Sequence, residues 1–95
     1  MTFYPSEKEI QELARRAREA AAKVAKRTRP AEHPEEYNAP LEYRLNREDY
    51  RLFIQLTMAY AGAEETHRPA AERYSNLKHA LKVWESSGGD QGTLF

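Results

Sequence analysis

The chain of 95 residues carries 15 Lys and Arg against 15 Asp and Glu, so a single domain is expected and a globally basic nucleic-acid binder is excluded. Without cysteine it has no disulfide, no thiol nucleophile and no zinc site that needs sulfur. No apolar run reaches membrane-spanning length, and Met1-Thr2-Phe3-Tyr4 lacks the regions of a signal peptide, which predicts a soluble, cytoplasmic protein with no membrane contact.

Leu, Ile, Val and Phe together supply only 15 of the 95 residues, and alanine and the aromatics make up most of the remaining apolar content. Alanine buries little area per side chain, so the domain is expected to be marginal alone or completed by a partner. Val and Ile are scarce while Ala, Glu, Arg, Lys and Leu are common. That balance predicts an all-α fold, a small three-helix domain over residues 1–86 followed by a flexible linker and peptide tail over 87–95.

In chain order, Ser6 and Glu9 have the spacing of a capping box. Ile10, Leu13, Ala14, Ala17, Ala21 and Val24 then recur at helical spacing until Arg29-Pro30, which predicts a first helix over about 7–28. Glu7, Glu9 and Glu12 open it, and Lys23, Lys26, Arg27 and Arg29 close it, as the helix dipole favours. Its stripe is mostly alanine, which allows close approach to another helix but offers little area. Three prolines and the acidic Glu32, Glu35 and Glu36 mark residues 29–46 as a long connection. Within it, Leu41-Glu42-Tyr43-Arg44-Leu45 alternates like a short strand. A lone strand has no pairing partner, so Leu41, Tyr43 and Leu45 are expected to pack onto the helices.

Asn46 is the expected cap of a second helix over 47–62, apolar on most of its circumference through Tyr50, Leu52, Phe53, Ile54, Leu56, Met58 and Tyr60, and therefore the central, most buried one. Pro69 suits the first turn of a third helix over 69–86. Ala70, Tyr74, Leu77, Leu81 and Trp84 form its seam, and Ser86-Ser87-Gly88-Gly89 ends it.

The chemistry-bearing residues are sparse. His33, His67 and His79 share no spacing, and the chain has no glycine-rich phosphate loop, so neither an enzyme, a metal site nor a cofactor is expected. His33 beside Glu35 and Glu36 lies in a proline-broken loop and reads as solvated. Residues 1–30 sum to +4 and residues 31–50 to −4. Arg15, Arg16, Lys23, Lys26 and Arg27 are therefore candidates for weak phosphate contact, although a solvated face or pairing with the chain's own acidic segment explains them equally. The tyrosines at helical spacing read as core with wet hydroxyls, and their surplus over leucine is also what a protein-binding face shows.

The tail reads differently. Gln91-Gly92-Thr93-Leu94-Phe95 follows a polar, glycine-containing stretch and carries two large apolar residues, each of which gains about 1.5–3 kcal/mol on burial. A Gln followed after two residues by Leu-Phe resembles the bacterial sliding-clamp-binding motif, often found at the C-terminus of polymerases and repair proteins. The resemblance implies Gln91 as the polar anchor and Leu94 and Phe95 as plugs of the clamp's apolar cleft. Gly92 departs from the motif's usual larger apolar residue, which implies weaker binding. On this resemblance the expected function is a non-enzymatic adaptor or modulator of replication or repair. The alternatives are docking of Leu94 and Phe95 on the chain's own core, or a small phage- or mobile-element-like inhibitor that occludes its target with the helical surface.

Overall fold

The computed structural model describes residues 5–28 and 39–89, and they form four helices in the order α1 (Glu7–Ala25), α2 (Leu41–Arg44), α3 (Arg47–Ala63) and α4 (Ala70–Ser86), with no strand among the described residues. The fold is all-α, as the composition predicts. None of these helices is long and apolar enough to cross a membrane.

Local chemistry sets the ends. Ser6 Oγ accepts the Glu9 backbone N–H at 3.2 Å and Glu9 Oε2 accepts the Ser6 N–H at 3.0 Å, which completes the expected capping box. α1 stops at Ala25, three residues short of expectation: the Lys26 and Arg27 amides close tightened turns onto Lys23 and Val24 instead of continuing the ladder. Asn46 Oδ1 accepts the Asp49 N–H at 2.8 Å and caps α3. Pro69 stands just outside α4 rather than in its first turn, with extended backbone and its carbonyl accepting the Arg73 N–H at 3.1 Å.

α2 replaces the expected extended segment with one helical turn, closed by the Leu45 N–H donating to the Leu41 carbonyl at 2.9 Å. Alternation at Leu41, Tyr43 and Leu45 fits a helical turn as well as a strand, because positions four apart share one helix face. Leu45 is buried and Leu41 half-buried, but Tyr43 is 63% exposed, against the expectation that it packs inward.

α1, α3 and α4 pack mutually around one core. Its fully buried large side chains are Ile10, Val24, Leu56 and Leu77. Ala17, Ala20, Ala21, Ala59, Ala63 and Ala80 fill the contacts between them, so the helices approach closely while burying modest area. α3 is less enveloped than its composition suggests: Leu52, Leu56, Ala59 and Ala63 are buried, Phe53, Ile54 and Tyr60 are half-buried, and Met58 is 70% exposed.

A charged side chain also enters this core. Arg73, only 4% exposed, donates to Glu7 Oε2 at 3.1 Å and Glu7 Oε1 at 2.5 Å, and to the carbonyls of Ala63 at 3.1 Å and Arg68 at 3.2 Å. One guanidinium thus ties the start of α1 to the end of α3 and the start of α4. Its fork of donors matches a carboxylate and two carbonyls at once, which an ammonium does not. The arrangement holds the Glu7 carboxyl below its ordinary range, through the hydrogen bonds from Arg73 first.

Candidate functional site

The candidate tail anchors Gln91, Leu94 and Phe95 lie outside the described residues, so the site is built from the point that carries them. α4 ends with the Ser87 N–H donating to the Val83 carbonyl at 3.1 Å and the Gly88 N–H to the Glu85 carbonyl at 3.1 Å. Ser87 Oγ donates to the Trp84 carbonyl at 2.7 Å. Gly88 and Gly89 take positive φ, 107° and 52°, a region that strains residues with a Cβ. These two turns bring the chain back over the end of α1.

There Arg27 takes hold of it. One guanidinium nitrogen donates to the buried Gly89's carbonyl at 2.6 Å and the other to Asp49 Oδ1 at 3.2 Å, with the Arg27 side chain 9% exposed. Gly89, the last of the described residues, is therefore held against the folded body. Gly89 is thus tied through Arg27, just beyond α1, to Asp49 in the first turn of α3. Beside that point, Gly88 and Gly89 border a groove of about 490 Å³ between α1 and α4, with Trp84 and Ala20 among its lining residues. Lys23 Nζ stands 5.7 Å from the centre of the Trp84 ring, a cation–π distance, and the Trp84 Nε1 is buried without a hydrogen-bond partner.

The candidate phosphate contacts are drawn into the chain's own charge pairing to different degrees. Arg15 is bridged by Glu12 and by Glu19, the latter at 2.7 Å. Hydrogen bonding to Arg15 lowers the Glu12 carboxyl and raises the Arg15 guanidinium from their usual values. Arg16 reaches Glu85 at 3.4 Å, Arg27 is the tail-root clamp, Lys23 covers Trp84, and Lys26 is exposed. Arg18, on the other flank of α1, pairs with Glu64 at 2.9 Å and lies 5.3 Å from the Tyr60 ring centre. The Arg15 pairs follow the three- and four-residue spacing of a helix and are legible in sequence. The Arg16, Arg18 and Arg27 partners lie far along the chain and are not.

His67 and His79 are exposed, His33 lies outside the described residues, and among the described residues no three His, Asp or Glu side chains converge as metal ligands. No known protein family, curated protein or solved structure matches the chain.

Proposed function

We propose that the protein is a non-enzymatic adaptor or modulator of DNA replication or repair that docks on the bacterial sliding clamp through Gln91, Leu94 and Phe95. The observation that carries this reading is Gln91-Gly92-Thr93-Leu94-Phe95, a polar anchor and two large apolar residues at the clamp-binding spacing. The Arg27 clamp on Gly89 supports it, because a ligand whose root is fixed loses less freedom on binding than one on a long free chain. The helical body is then a carrier that presents the peptide. Nucleic acid is a weak secondary partner in this reading, since Arg15, Arg16 and Arg27 already meet carboxylates of the same chain and phosphate must displace them.

The test is calorimetry with purified bacterial sliding clamp and the full chain. Two buried apolar anchors, after the cost of ordering the tail, give an expected dissociation constant on the order of micromolar. Joint replacement of Leu94 and Phe95 by Ala abolishes binding without changing the melting temperature, and Gln91→Ala weakens it less. No heat, together with no competition against a clamp-binding peptide, overturns the assignment. A lowered melting temperature for the double variant assigns Leu94 and Phe95 to this protein's own core instead.

A further inference from the structure

α1 and α4 also border a groove of about 630 Å³, with Leu13 and Leu81 in its lining and Arg16, Lys78, Lys82 and Glu85 as its charged side chains. Its charge is unbalanced, with three permanent cations against one carboxylate. The groove beside Gly88 and Gly89 sets Arg16 and Lys23 against Glu19 and Glu85, and the groove between α1 and α3 sets Arg15 and Arg18 against Glu7 and Glu64. Both of those are neutral.

The surplus is not consumed inside the chain. Glu85 already faces Arg16, at 3.4 Å. On α1, Glu9 accepts the Ser6 N–H, and Glu12 and Glu19 are both taken by Arg15. Lys78 and Lys82 are exposed, and neither pairs with a carboxylate among the described residues. Lys78 lies instead 5.5 Å from the centre of the Tyr74 ring. The two lysines stand one turn apart on the same side of α4, a spacing at which like charges weaken a helix. The fold gains nothing from that placement, whereas a negatively charged ligand does.

What lies between the cations decides the class of ligand. Leu13 is half-buried and Leu81 buried, which makes an apolar floor. No Phe, Tyr or Trp lines the groove, so a nucleic-acid base has no such ring to stack on. A large apolar side chain flanked by carboxylates satisfies floor and rim together. We propose that this groove binds an acidic peptide segment of a partner protein, with one large apolar side chain over Leu13 and Leu81 and its carboxylates on Lys78 and Lys82. The site does not involve Gln91, Leu94 or Phe95, so its failure leaves the clamp reading untouched.

Titration of the full chain into a fluorescein-labelled hexapeptide of alternating glutamate and leucine, followed by fluorescence anisotropy, tests it. The expected dissociation constant is on the order of 100 micromolar at low ionic strength and rises with added salt. Lys78→Glu with Lys82→Glu changes two exposed positions, so circular dichroism stays native while affinity falls by about tenfold or more. Lys8→Glu with Lys26→Glu makes the same change in net charge at exposed positions outside the groove and leaves affinity within about twofold. No anisotropy change at about 1 millimolar, or equal weakening by both double variants, overturns the groove as a binding site. Tighter binding of a hexathymidylate, lost on the same replacement of Lys78 and Lys82, overturns the peptide as its occupant.

Discussion

Replacing Leu56 by alanine tests the packing of the core most directly. Leu56 is fully buried in the middle of α3 and, among the described residues, is one of four large side chains at 1% exposure or less. Removing three carbons forfeits about 2.5 kcal/mol of transfer free energy, and the cavity left behind adds a term that depends on how far its walls collapse. Much of the core consists of Ala17, Ala20, Ala21, Ala59, Ala63 and Ala80. Alanine has no rotamer with which to fill space, so the hole persists. The expected cost lies in the upper half of the Leu→Ala range, about 3–5 kcal/mol, out of a total of about 5–14 kcal/mol for a chain of this length. Urea denaturation followed by far-ultraviolet circular dichroism, with the midpoint converted at constant slope, measures it. Ile54→Ala is the internal control, since Ile54 is only half-buried and lies outside the set packed against the core; it should cost about 1 kcal/mol or less. A Leu56→Ala cost below about 1 kcal/mol, or one no larger than that of Ile54→Ala, would refute this account of the core.

Other perturbations read out separate features. Arg73 depresses the folded-state ionisation of Glu7 below its ordinary 4.5, so the stability difference between the native chain and Glu7→Gln is fully present above that value and vanishes as pH falls through the lower folded one; denaturation curves from pH 7 to pH 3 should converge. Because Glu7 is 55% exposed, added salt should shrink the same difference. Gly62→Ala should raise stability by about 0.5–1 kcal/mol, since the new methyl meets nothing. Arg27→Met releases both Asp49 and the Gly89 carbonyl; amide exchange at Gly88 should quicken by about tenfold while Leu77 keeps its protection, and equal protection at Gly88 would show that the clamp does not hold the root.

Much of the scaffold was legible because its signals are local. The Ser6–Glu9 box, the Asn46 cap and the α4 seam each depend on residues within a turn or two of one another, and α1, α3 and α4 form within a few residues of their expected limits. Leu41–Leu45 misled because a run of five residues satisfies two periods at once. Arg73 occupies a seam position, three residues after Ala70 and four before Leu77, so its burial carried a sequence signal. Its partner Glu7 lies 66 residues away, and no pattern in the chain pairs them. Arg27 likewise reads as one more basic residue at a helix end. Only the fold, by bringing Asp49 and Gly89 to it, distinguishes it from Lys26. The candidate peptide, by contrast, was legible only in sequence, as a spacing of side chains that lies outside the described residues.

The alanine-rich seam between the helices also governs how this protein responds to temperature. The heat-capacity change of unfolding grows with the apolar area newly exposed to water, at about 0.45 cal/K/mol per Å². A core in which alanine supplies half of the buried residues exposes less of it per residue than one built on leucine and phenylalanine throughout. The curve of stability against temperature is correspondingly expected to be shallow, with weak loss on cooling and a gradual decline on heating. Folding therefore depends less on a force that fades in the cold, and more on helix backbones held close together by side chains with almost no rotational freedom to surrender.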